Sequence, residues 1–119
     1  MAKILIVDNA SFMRSSLKFI VENAGHSVVG MAENGGDAIK LYKELKPDIV
    51  LMDILMEGMD GIQALESVRK DDPNARVIMV TALGQENLQE KARGLGAAGY
   101  IRKPFKQEEI VKEIERVMK

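Results

Sequence analysis

Four polar side chains each stand at the end of a short apolar run. Asp8 follows Ile4-Leu5-Ile6-Val7, Asp53 follows Ile49-Val50-Leu51-Met52, Thr81 follows Val77-Ile78-Met79-Val80, and Lys103 follows Gly99-Tyr100-Ile101-Arg102. Such runs, bounded by turn signals, read as buried parallel strands. A polar residue at the tip of each strand then faces a crevice, where open α/β sheets bind ligands. Two carboxylates about 5 Å apart repel by roughly 3 kcal/mol at an effective dielectric of 20, so the pair needs cations. Lys103 supplies one, and a divalent ion such as Mg2+ (or Mn2+) would add more, because magnesium accepts one or two carboxylates, waters and phosphate oxygens. A metal, an ammonium and a hydroxyl around an aspartate suit a phosphoryl group. Asp53 itself can be the nucleophile, forming an aspartyl phosphate.

The elements that must position these tips follow from periodicity. After the first strand, Met13, Leu17, Ile20, Val21 and Ala24 recur at helical spacing, and Gly25 is placed to close the helix. Val28 to Ala32 form a second strand, whose Gly30 and neighbours His26 and Ser27 suit a sheet edge. Asn34-Gly35-Gly36 reads as a turn, and Ala38, Leu41, Tyr42 and Leu45 as a helix stopped by Pro47. Ile62, Leu65 and Val68 mark a third helix. Leu88, Ala92 and Leu95 mark a weaker fourth, in which Gly94 costs about 1 kcal/mol relative to alanine. Ile110, Ile114 and Val117 mark a last helix. Five β-α repeats with short connections predict one doubly wound (βα)5 flavodoxin-like domain over residues 1–119, with a parallel sheet in the order 2-1-3-4-5. That order makes the strands ending on Asp8 and Asp53 neighbours, about 4.8 Å apart.

Composition bounds the alternatives. The 119 residues suffice for one domain with a core, and the net charge of −1 argues against a nucleic-acid surface. There is no cysteine, which removes disulfides and thiolate metal sites together. No apolar run approaches the roughly 18 residues that span a bilayer, and the start is too short for a signal peptide. The expectation is a cytoplasmic monomer without membrane or direct nucleic-acid contacts. The Met1 start and the stop soon after the last helix favour a stand-alone protein.

The ordered set of motifs resembles a response-regulator receiver domain of the CheY chemotaxis type. It comprises Asp8, Ser11-Phe12-Met13-Arg14, Asn34-Gly35, Asp53 with Met56 and Asp60-Gly61, Thr81-Ala82 and Lys103-Pro104-Phe105. The resemblance implies a two-component signalling phosphoprotein. A histidine kinase would donate a phosphoryl group to Asp53, with Mg2+ held by Asp8, Asp53 and the backbone carbonyl of Leu55. Lys103 would contact the phosphoryl group, Thr81 would move toward it, and Tyr100 would swing inward; Tyr100 can equally be a packing or edge aromatic. The Lys103-Pro104 bond would be cis, and small Ala82 would leave the mouth open. The output face would be helix 4, strand 5 and helix 5, with Tyr100, Arg102 and Lys106, binding a downstream protein such as a motor switch. Any catalysis would be limited to self-catalysed phosphoryl transfer and aspartyl-phosphate hydrolysis.

Two positions depart from the family pattern. Asn9 stands where a second acid is usual, predicting a weak or indirect metal ligand. Glu57 stands where proline is usual, either restoring negative charge near the metal or lying solvated. Other readings stay open. The chain can be the receiver of a transcriptional regulator, or a receiver acting through contacts without phosphorylation. A haloacid-dehalogenase-type phosphatase needs a second aspartate where Ala10 stands, and a flavodoxin-type carrier needs a Ser/Thr/Gly-rich loop after the first strand. His26 reads as a surface turn residue, and Lys40, Lys43 and Lys46 as a solvated face.

Overall fold

A computed structural model describes residues 1–119. Strands and helices alternate without exception: β1 Lys3–Val7, α1 Ser11–Asn23, β2 Ser27–Ala32, α2 Gly35–Leu45, β3 Ile49–Met52, α3 Gly61–Asp71, β4 Val77–Thr81, α4 Glu86–Gly94, β5 Gly99–Arg102 and α5 Gln107–Met118. The sheet is parallel throughout, in the order β2-β1-β3-β4-β5.

Because side chains alternate across a strand, each central strand feeds two cores. Leu5, Val7, Val50, Met52, Val77 and Met79 pack with α2, α3 and Ala92 of α4. Ile4, Ile6, Ile49, Leu51, Ile78 and Val80 pack with α1 and α5. Coverage of both faces explains why β1, β3 and β4 read as unbroken apolar runs rather than as alternating ones. β2 lies at the edge, and a register shift between Ile4 and Leu5 bulges it at Val29. Gly30 admits the Leu45 side chain, which a Cβ there would meet at 2.7 Å.

The helix ends differ in places from the expectations. Gly25 does close α1, at φ +91 beyond the C-cap Ala24. Asn34-Gly35-Gly36 is not a separate turn. The Asn34 side chain accepts a hydrogen bond from the Asp37 N–H at 2.8 Å, so α2 begins at Gly35. α2 ends at Leu45, two residues before Pro47, with the C-cap Lys46 in the left-handed region at φ 47. Gly94 is the last residue of α4, where it carries little interior-helix penalty, and Gly96 (φ 95) turns the chain beyond it. No helix is long and apolar enough to cross a membrane.

Candidate functional site

Ending four apolar strands at one sheet edge brings their polar tips together. Asp8, Asp53 and Thr81 are the buried polar residues of the chain, at 1%, 6% and 0% exposure. Lys103, 95 residues along the chain from Asp8, donates from Nζ to Asp8 Oδ2 at 2.7 Å and to Asp53 Oδ2 at 3.1 Å. One ammonium therefore serves two carboxylates, and a formal charge of −1 remains in a largely buried site. The other carboxylate oxygens are held by backbone. Asp8 Oδ1 accepts from the Ala10 N–H at 2.9 Å, and Asp53 Oδ1 from the Ile54 N–H at 2.7 Å. No buried side-chain polar atom is left without a partner.

The supports of this constellation are mainly local. Arg14 donates from Nη1 to the Asp8 carbonyl at 2.7 Å and fastens the start of α1 to the end of β1. Asp60 caps α3 reciprocally with Gln63, each accepting from the other's N–H. Gly61 lies against the Asp53 carbonyl; a Cβ there would overlap that oxygen and crowd Ile54 Cα at 2.8 Å. The loop after Asp53 thus closes back on it only because residue 61 is glycine. Lys103-Pro104 is a cis peptide bond, as the motif implies.

The donor set suits a hard divalent ion with incomplete protein coordination. Two carboxylates face the edge. Leu55 follows on the loop with an exposed hydrocarbon side chain, and its backbone carbonyl is the oxygen it could offer a metal. Asn9 is exposed beside Asp8 and lines a cleft of about 630 Å³ with Glu33 and Glu57. No three His, Cys, Asp or Glu side chains converge to hold a metal. With Asn9 in place of an acid, waters and phosphate oxygens would have to complete the shell, which is how magnesium prefers to bind. Glu57 shares the cleft with Asn9 but does not join the two aspartates as a third carboxylate.

Thr81 and Tyr100 belong to one small network. Thr81 Oγ1 accepts from the Leu83 N–H at 3.3 Å, and the Tyr100 hydroxyl donates to the Leu83 carbonyl. Tyr100 is half-buried, packed against the core on the α2–α4 side, so it is more than an edge aromatic. Burial raises its phenol above the ordinary value; the Arg102 charge opposes this and Asp53 adds to it. Ala82 is exposed at the mouth, and Arg102 and Lys106 are exposed on the output face expected from the resemblance. His26 is a correction. It is half-buried, and its Nδ1 accepts from the Ala2 N–H at 2.9 Å, so it anchors the start of β1 rather than lying free on the surface. The Arg14, Gly61 and His26 contacts escaped sequence reasoning. Arg14 and Gly61 stand in motifs of the sequence, but their contacts have no local signature, and His26 has neither motif nor signature.

Comparison with known proteins agrees with this geometry. The family profile described as response regulator receiver domain matches residues 4–115. The chemotaxis protein CheY of Thermotoga maritima is 47% identical over 117 residues, 98% of both chains. That of Listeria monocytogenes is 45% identical over the whole of both chains. In a solved complex of CheX, CheY, BeF3 and Mg2+ from Borrelia burgdorferi, the matching chain is 35% identical with a TM-score of 0.96. The match covers 98% of this chain and 89% of that one.

Proposed function

The chain belongs to the response-regulator receiver family of two-component systems, and from that premise we propose that it is a phosphorylation-dependent switch serving chemotaxis. A histidine kinase is the phosphoryl donor. An Asp53 carboxylate oxygen attacks phosphorus, a P–O bond forms, and the P–N bond to the donor imidazole breaks. Water later attacks the phosphorus, the Asp53 O–P bond breaks, and inorganic phosphate leaves as the carboxylate is restored. The observation that carries this reading is the Lys103 ammonium bonded to both Asp8 and Asp53 at the sheet edge. It neutralises part of the charge that gathers when a phosphoryl group arrives.

Asp8 and Asp53, with the Leu55 carbonyl, would hold Mg2+ or Mn2+, and Asn9 contributes weakly or through water. When bound, the ion neutralises phosphoryl oxygens and the second carboxylate. Phosphorylation adds about −1.5 to −2 charge, and Thr81 donates to the new oxygens once it releases the Leu83 N–H. The Thr81–Leu83 loop and Tyr100 carry that change to the face of α4, β5 and α5, which binds a downstream protein. Moving a 1:99 population to 99:1 takes about 5.5 kcal/mol, within reach of a few charge-assisted hydrogen bonds at roughly 1.5–3 kcal/mol each. A protein that shuttles between kinase and target in this way works in the cytoplasm as a monomer, and its only catalysis is on its own phosphoryl group.

Incubation with acetyl phosphate and magnesium, read by intact mass, tests the reading. A gain of one phosphoryl group, absent in Asp53→Asn, is expected. No gain favours a second reading, to which the missing acid at Asn9 points: a receiver that signals through protein contacts alone.

A further inference from the structure

Alternation along β5 puts Tyr100 and Arg102 on one face, and the register sets Arg102 beside Thr81. The β4–α4 loop crosses that face and is held at several points. Tyr100 donates to the Leu83 carbonyl, Leu83 N–H donates to Thr81 Oγ1, and Gln89 Nε2 donates to the Gly84 carbonyl at 3.0 Å. Arg102 takes part in no ion pair. Its guanidinium instead lies across Gly84, where a Cβ would collide with Nε and Cζ and meet Cδ at 2.8 Å. A planar, weakly hydrated guanidinium can cover backbone in this way, whereas a compact ammonium cannot.

We propose that Arg102 is a positioning residue of the switch: laid across Gly84, it clamps the β4–α4 loop where the Tyr100 hydroxyl reaches the Leu83 carbonyl. Its consequence for signalling rests on the phosphorylation reading above. Two roles for Arg102 are separable because they act on Tyr100 in opposite directions. As a charge, Arg102 favours phenol ionisation, so its loss makes Tyr100 harder to ionise. As a clamp, it keeps the ring half-buried, so its loss admits water and makes Tyr100 easier to ionise. Gly84→Ala offers a second route. The new Cβ meets the flexible end of a side chain rather than backbone, so it displaces Arg102 while leaving its charge in place.

The experiment is 13C-tyrosine NMR of the whole chain as wild type, Arg102→Ala, Gly84→Ala and the double variant, with Tyr42 as the internal check of folding. Both single variants are expected to move the Tyr100 ring signal toward that of an exposed tyrosine, and Gly84→Ala, which keeps the charge, to lower its titration midpoint. The double variant should go no further than either single, because both remove one contact. With magnesium and beryllofluoride, half-saturation should fall about three- to tenfold in both, because each variant frees the loop whose Leu83 N–H Thr81 must leave, and the competent population grows. An unmoved Tyr100 ring signal in either single variant, an unlowered midpoint in Gly84→Ala, or additive effects on the ring signal would overturn the clamp. Wild type that binds no beryllofluoride overturns the phosphorylation reading instead, and the ring signals still decide the clamp.

Discussion

At the scale of single residues, the site is a problem of charge. Asp53 gains attraction from Lys103 but shares that ammonium with Asp8, whose charge repels it, so much of the gain is offset and the cost of dehydrating a buried ion remains. Asp53→Asn should therefore raise stability by about 1 kcal/mol. Lys103→Ala strands two buried carboxylates and should cost about 3 kcal/mol. Urea unfolding at neutral pH without magnesium checks both, and opposite signs are the expected result. Asn9 is the second charge question. Restoring a unit charge near the ion is worth on the order of 1 kcal/mol in a water-like dielectric, so Asn9→Asp should bind magnesium about fivefold more tightly by isothermal titration. Glu57→Gln should weaken binding if the Glu57 carboxylate, facing the same cleft, compensates for Asn9. Unchanged affinity would make Glu57 a solvated loop residue.

At the scale of elements, the two aspartate tips are each held by the next helix of the chain. Asp8 depends on α1 through Arg14, and Asp53 on α3 through the close approach of Gly61. α2 and α3 are tied to each other by the Tyr42 hydroxyl, which donates to Asp72 Oδ2 at 2.7 Å. Burial and then this bond push the Tyr42 phenol well above its ordinary value. The same bond, with one from the Asn74 N–H, holds Asp72 below the usual carboxylate range. The signs come from linkage. Asp72 contributes stability that is complete above about pH 4 and lost as pH falls through its depressed folded value. The phenol's contribution is complete below about pH 10 and shrinks as pH rises beyond that. Tyr42→Phe should cost about 1 kcal/mol at pH 7 and show a flatter stability profile in both acid and alkali. Parallel profiles for the two proteins would dismiss the tie.

At the scale of the whole molecule, a sheet covered on both faces leaves its carboxyl edge as the place where polar chemistry gathers. The crossing between β1 and β3 sets Asp8 beside Asp53, and β4 and β5 extend the site toward α4. Under the proposed switch, a phosphoryl charge at Asp53 would act on the α4, β5 and α5 face through Thr81, Leu83 and Tyr100, which hydrogen bonds link in series. Amide shift mapping with magnesium and beryllofluoride should show changes along that path and into α4 and β5. Changes confined to the loops around Asp53 would refute the switch.

Element order, strand ends and the identity of the tip residues were all legible in the sequence, because local periodicity records which face of each segment is buried. The parallel order followed from short right-handed connections, which leave few arrangements open. Convergence was a different matter. Whether Lys103 reaches both aspartates, whether Gly61 folds against the Asp53 carbonyl, and whether Arg102 lies on Gly84 depend on distances between segments far apart in the chain. The same holds for Tyr42 with Asp72 and for His26 with the Ala2 N–H. Such pairings have no period and no local signature. They exist only once packing on both sides of the sheet has fixed where each side chain ends.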